Sequence, residues 1–180
     1  MAETNPKVRM GMVGGGQGAF IGNVHRMAAF LDGKIELVAG AFSSNFDNCK
    51  QTGAMLGVAA SRCYPDFDTM FQEEAKLPAN ERIQFVSIVT PNHLHFPVAK
   101  SAMENGFHVL SDKPATMDLA EALKLESIVK QTGRLYGLTH TYTGYCREHN
   151  LVSCLYWAIF CRHLYWYTTL KCYWVPVLTV

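Results

Sequence analysis

Polar and apolar positions follow two rhythms along the first 145 residues. Short, nearly unbroken apolar runs stand at 8–14, 35–42, 85–90, 107–112 and 134–142. Runs of this kind read as strands buried on both faces, because a strand with one wet face would alternate. Between them the apolar positions recur with the spacing of a helix. Residues 19–31 carry Ile21, Val24, Met27, Ala28 and Leu31 on one face, which the periodicity assigns to the core; Met103 fits a core face in the same way. Further helices are predicted at 46–56, at 97–105 with Gly106 as the stop, and at 116–133. In the last of these, Thr116 or Asp118 caps the start and Gly133 the end. Residues 63–74 read as a link. Strands alternating with helices predict an α/β domain, a doubly wound parallel sheet covered by helices.

The rhythm stops at Tyr145. All fourteen glycines lie at or before Gly144, whereas all three tryptophans lie beyond Tyr145. Residues 146–180 hold one acid, Glu148, and eight aromatics, with neither helical nor strand periodicity. The stretch 151–161 is too short for a bilayer, which needs ~20 apolar residues. Extending it brings in Arg162, His163 and then Lys171. We therefore expect a domain over 1–145 and an unrelated hydrophobic tail over 146–180. A change of reading frame would produce such a tail, and a divergent extension covering a sheet edge is the alternative.

Charge and cysteine change the picture little. A net charge of +1 gives no field for nucleic acid or an anionic membrane. The start of the chain is polar, without the apolar core of a secretion signal, so a cytoplasmic location is expected. There, Cys49 and Cys63 read as small reduced residues. Cys146, Cys154, Cys161 and Cys172 lack C-x-x-C spacing, so neither a metal site nor a disulfide framework is expected.

The first chemical signal is Gly14-x-Gly16-x-x-Ala19, at the end of the first strand and the start of the first helix. Gly14 would permit a tight turn, Gly16 would let a pyrophosphate approach the backbone, and Ala19 would hold the helix near the sheet. With Gln17 these positions form a candidate dinucleotide loop, its anion facing the helix N-terminus. A flexible turn in some other α/β protein is the competing reading. At the tip of the second strand, where an acid commonly binds ribose hydroxyls, stands Ser43. No acid follows before Asp47, and no arginine is placed to hold a 2′-phosphate, so NAD and NADP both remain open.

Two further motifs end later strands. Thr90-Pro91-Asn92-His93-Leu94-His95 follows the third strand, and Asp112-Lys113-Pro114 the fourth. Ligands of open α/β sheets gather at these carboxyl ends. Lys113 there is a candidate for donating to a sugar hydroxyl or a nicotinamide carboxamide, or else a solvated surface lysine. Pro114 restricts the turn. His95 either serves the site or packs on its own helix, and His25, His93, His108 and His140 read as structural or exposed. The three motifs in this order resemble the Gfo/Idh/MocA oxidoreductases, a family of sugar and polyol dehydrogenases. Asp112 replaces the family's usual Glu. The resemblance covers residues 7 to 145. It implies a Rossmann domain binding NAD or NADP, with Lys113 beside nicotinamide and substrate and with Pro91, Asn92 and His95 near the cofactor.

The family's second α/β domain, which supplies most of the substrate pocket and an acid–base Asp and His, has no counterpart pattern after Tyr145, and the tail contains no Asp at all. The expectation is a cofactor-binding half that lacks turnover. The alternatives are a non-catalytic nucleotide-binding sensor or partner module and a truncated product without function.

Overall fold

The computed structural model describes residues 6–140. Five strands form one parallel sheet: β1 (Val8–Gly14), β2 (Ile35–Ala41), β3 (Phe85–Val89), β4 (His108–Asp112) and β5 (Tyr136–Thr139). Their order is β2-β1-β3-β4-β5. The chain thus starts in the middle, winds outward to β2, returns past β1 and winds outward again, which is the double winding expected. The helices are α1 (Phe20–Phe30), α2 (Phe46–Met55), α3 (Phe67–Lys76), α4 (His95–Glu104) and α5 (Leu119–Thr132).

Two apolar cores lie on opposite faces of the sheet. On one, Val13, Val86, Ile88 and Val109 pack under Met70 and Phe71 of α3, Val98 and Ala102 of α4 and Leu125 of α5. On the other, Met10, Met12 and Val89 meet Ala29 of α1 and Cys49 of α2. Adjacent strand residues therefore serve different cores, which explains the unbroken apolar runs. Cys49 and Cys63 are free thiols, both buried. Burial, then the nearby Cys49, pushes the Cys63 thiol up.

Two local expectations need correction, and one choice left open is decided. The link at 63–74 contains α3, capped by Asp66, whose carboxylate accepts the Thr69 N–H at 2.8 Å. Its inward stripe is Phe67, Met70, Phe71 and Glu74; the Glu hides the pattern. Glu74 is fully buried, where its carboxylate accepts from Arg62 Nε (2.9 Å) and Nη2 (2.5 Å), Tyr64 Oη (3.0 Å) and the Ile83 N–H (3.0 Å). Between the two offered caps for α5, Asp118 is used: it accepts the Glu121 N–H, and Gly133 closes the helix in the left-handed conformation.

The second correction concerns α1. Met27 and Leu31, assigned to the core, are 73% and 74% exposed. The face against the sheet is Gly22, His25, Arg26 and Ala29. A side chain at 22 is excluded, because a Cβ there would lie 2.5 Å from the Cα of Gly15. Main chain touches main chain, so the helix must turn its smallest residue inward; Met27, Ala28 and Leu31 go outward with the turn, while Ile21 still packs against the core. Met103 is buried as expected.

Candidate functional site

The sheet register brings the motif-bearing strand ends to one edge. Val13 pairs with Ala41, Gly14 with Val89, and Ile88 with Ser111. The glycine loop, Ser43, the Thr90-Pro91-Asn92 segment and the Asp112-Lys113-Pro114 turn therefore leave the sheet at the same carboxyl edge, across the point where the chain winding reverses between β1 and its neighbours. Open α/β sheets bind ligands in such crevices.

The loop is built by left-handed glycines. Gly14 has φ 84°, Gly15 φ 74° and Gly18 φ 83°, conformations that cost an L-residue about 1–2 kcal/mol. Gly14 makes the tight turn as expected, and a Cβ there would meet the Val89 carbonyl at 2.8 Å. The reason expected for Gly16 is different in the structure. Its Cβ would point into the protein, 2.8 Å from the Phe42 carbonyl oxygen and 2.9 Å from Asn48 Oδ1. The missing side chain at Gly16 admits Phe42, just after β2, and Asn48 of α2 close to the loop. Ala19 likewise does not set the distance from helix to sheet. It is the N-cap residue of α1, and Gly22 makes the close contact. Among the loop glycines, Gly18 is the one whose added Cβ would meet nothing within 4 Å.

Side chains cap α2, α3 and α5 through Asn45, Asp66 and Asp118, but none caps α1. The loop is instead braced from behind. Arg26 donates to the Gly15 carbonyl at 3.0 Å and also reaches Asn23. The Gln17 N–H donates to Thr52 Oγ1 (3.2 Å) and Asn48 Oδ1 (3.3 Å), and its side-chain amide rests on Met55 Sδ. Gln17 is thus engaged by α2. Ser43 is half-buried beyond β2, and its hydroxyl accepts the Asn45 N–H at 3.1 Å.

At the other end of the edge, Pro91 and Asn92 are exposed on the turn after β3. The Thr90 hydroxyl is buried with no hydrogen-bond partner among the described residues; a buried polar atom of this kind calls for a partner. His95 is buried, with Nδ1 2.5 Å from the Pro114 carbonyl and Nε2 2.9 Å from the Thr90 carbonyl. Each ring nitrogen faces a main-chain carbonyl, so His95 is a strut between two motif segments. The Lys113–Pro114 peptide is cis, and Lys113 and Pro114 are exposed at the edge. Asp112 accepts the Thr139 hydroxyl at 2.8 Å.

His25 was not singled out by its spacing, yet it is buried beneath this edge. Its Nδ1 lies 2.9 Å from Ser87 Oγ and its Nε2 3.8 Å from Asp112 Oδ1. Burial lowers its pKa, and Asp112 partly offsets that. Gly22 and His25 are one helical turn apart, and that spacing after a glycine loop was the available signal. His93 is exposed, and His108 is half-buried, accepting the Leu135 N–H at 3.0 Å. Among the described residues no group of three His, Cys, Asp or Glu gathers to hold a metal, and no helix is long and apolar enough to cross a membrane. The expectations for 146–180 lie outside the described residues.

The glycine turn, the uncapped helix and the orphaned Thr90 hydroxyl fit a dinucleotide lying across the edge. Comparison with known proteins agrees. The chain is 40% identical over 138 residues to the uncharacterized oxidoreductase YfiI of Bacillus subtilis, covering 76% of this chain and 35% of that protein. An oxidoreductase from Sinorhizobium meliloti superposes with a TM-score of 0.73 at 50% identity, over 78% of this chain and 39% of that one. An inositol dehydrogenase homolog from Azotobacter vinelandii, solved with NADH and myo-inositol, gives 0.74 at 42% identity, over 77% and 36%. The chain thus spans less than two-fifths of the length of these relatives. Residues 8–140 match the model of the Gfo/Idh/MocA oxidoreductase family, NAD-binding Rossmann fold, and the chain belongs to that family through its NAD-binding domain.

Proposed function

We propose that residues 8–140 bind NAD(H) or NADP(H) across the carboxyl edge of the sheet and form the cofactor half of an oxidoreductase acting on a sugar or polyol. The observation that carries the reading is the loop from Gly14 to Gly18, turned by left-handed glycines onto an uncapped helix. The first-turn N–H groups of α1 would hold the pyrophosphate. Ser43 would face the adenosine ribose, and Thr90, Pro91 and Asn92 would line the path toward the nicotinamide. When bound, the nicotinamide exchanges a hydride with the carbinol carbon. Lys113 would donate to the substrate oxygen and hold the carbon in line. The relative solved with myo-inositol supports a polyol as the substrate class.

Oxidation of an alcohol also releases a proton to a base. The two titratable motif residues beside Lys113 are committed elsewhere: Asp112 to Thr139 and His25, and His95 to two carbonyls. This favours cofactor binding without turnover by the 180-residue chain, and it is also what a non-catalytic nucleotide-binding module would show. Mispositioned reactants forfeit up to ~7–11 kcal/mol of proximity.

The test is Gly18→Asp with NADH followed by fluorescence titration. Asp tolerates positive φ better than most residues, and the position is open, so the fold should persist while its charge repels the pyrophosphate. Lost binding with an unchanged melting temperature supports the loop as the anion site. Unchanged affinity rules it out. A sugar or polyol panel then decides turnover: NAD(P)H formation at enzymatic rates, abolished in Lys113→Ala, would overturn the proposal that this chain lacks it.

A further inference from the structure

The polar line beneath the edge is not used by the reading above. Ser87, His25 and Asp112 have the composition of a hydrolytic triad, but Ser87 is fully buried in mid-strand and no substrate carbonyl reaches it. The line has a different use. Asp112 carries only acceptors, so the His25 proton belongs on Nε2, and Nδ1 accepts from the Ser87 hydroxyl. Burial favours the neutral ring. The helix that starts at the glycine loop thus holds both ends of the edge. Arg26 grips the Gly15 carbonyl, and one residue earlier His25 faces Asp112, the residue next to Lys113. Thr139 holds the same Asp112 oxygen from β5.

We propose that His25 is a positioning residue for the nicotinamide end of the cofactor site, acting through Asp112 on the placement of Lys113. The proposal rests on the cofactor reading given above. It makes a separable demand: His25 should matter for a ligand that reaches Lys113 and not for one that stops at the pyrophosphate and its ribose. At 3.8 Å the His25–Asp112 contact exceeds hydrogen-bond length, so it orients the carboxylate electrostatically and sterically, while Thr139 supplies the bond. His108, on the same strand, points to the Leu135 N–H and does not compete for Asp112.

The experiment compares NADH with ADP-ribose, which lacks the nicotinamide, by titration calorimetry on the 180-residue chain and three variants. Gln at 25 reaches the Nε2 position and keeps the group facing Asp112. Asn reaches only the Nδ1 position and keeps the Ser87 contact. Leu keeps neither. We expect His25→Asn and His25→Leu to weaken NADH by roughly tenfold, the equivalent of one polar contact. ADP-ribose affinity should not change, and His25→Gln should restore NADH binding. Equal NADH affinity in the Gln and Asn variants overturns the proposal even if the Leu variant does not fold. Parallel loss of both ligands assigns His25 a structural role and overturns it equally. If the unaltered chain binds neither ligand, the cofactor reading fails and this inference falls with it; if it binds both and the variants match it, only this inference falls.

Discussion

Removing the Glu74 carboxylate should be strongly destabilising, and its cost can be assembled from its partners. Glu74→Leu leaves four donor groups on three residues without their acceptor. The Ile83 N–H is buried, and a buried unsatisfied amide costs about 1–3 kcal/mol. The Tyr64 hydroxyl is buried as well and adds a similar amount. Arg62 differs, because its side chain is 20% exposed and the guanidinium can turn partly to water, so its share is discounted. The sum is about 3–5 kcal/mol, the range for breaking a buried ion pair. Domains are stable by only about 5–15 kcal/mol, so the variant should retain a fraction of its stability. Urea denaturation followed by circular dichroism reads this directly. Arg62→Met in the Glu74→Leu background removes the stranded charge and should recover part of the loss, leaving the Ile83 and Tyr64 penalties. Tyr64 carries its own mark of the site: burial, then the Glu74 charge and hydrogen bond, push its phenol well above the usual range. A Glu74→Leu variant within 1 kcal/mol of the unaltered chain would refute the hydrogen-bond ledger.

Ser43→Asp should shift cofactor preference toward NADH over NADPH by on the order of tenfold or more, since a carboxylate at the tip of β2 accepts ribose hydroxyls and repels a 2′-phosphate; unchanged ratios of the two dissociation constants would remove Ser43 from the site. His25 and His108 both have pKa values below the ordinary 6.5, His25 chiefly through burial and His108 through burial and then Arg134. The unfolded chain therefore takes up these protons first, so stability is complete above about pH 6.5 and declines as the pH falls toward the folded values. Melting temperatures at pH 7 and 5.5 should show the decline, and His25→Gln should flatten it. Deleting residues 146–180 should raise soluble yield and leave NADH affinity unchanged, because the described elements already build an apolar core on each face of the sheet; a much lower melting temperature in the truncated chain would show that the tail belongs to the fold.

The strands were legible because burial on both faces leaves a signature that needs no partner: β1 and β3 are apolar runs wherever they are read. Three motifs at strand ends carried the edge for the same reason. The face of α1 was not legible, because its orientation is decided by a backbone contact between Gly15 and Gly22, and two glycines contribute nothing to a hydrophobic period. With that contact fixed, His25 and Arg26 face inward despite their polarity and find Ser87, Asp112 and the Gly15 carbonyl. The helix α3 was obscured by a buried acid. Glu74 occupies a core position only because Arg62, Tyr64 and Ile83 satisfy it, and those partners come from two other segments of the chain. His95 kept two readings open until its nitrogens were seen to end on the Thr90 and Pro114 carbonyls.

The contact between Gly15 and Gly22 has a consequence for how this domain tolerates change. Because the first turns of the helix are seated on the loop by backbone atoms at Gly15 and Gly22, the approach at that point does not depend on the shape of a side chain. Replacement at Gly18 or Phe20, whose side-chain positions face outward, alters the chemistry offered at the edge without moving the platform that offers it. Replacement at 15 or 22 moves the platform whatever residue is introduced. Selection on cofactor chemistry and selection on helix placement therefore act on different positions of one short stretch, and the first can drift while the second stays fixed.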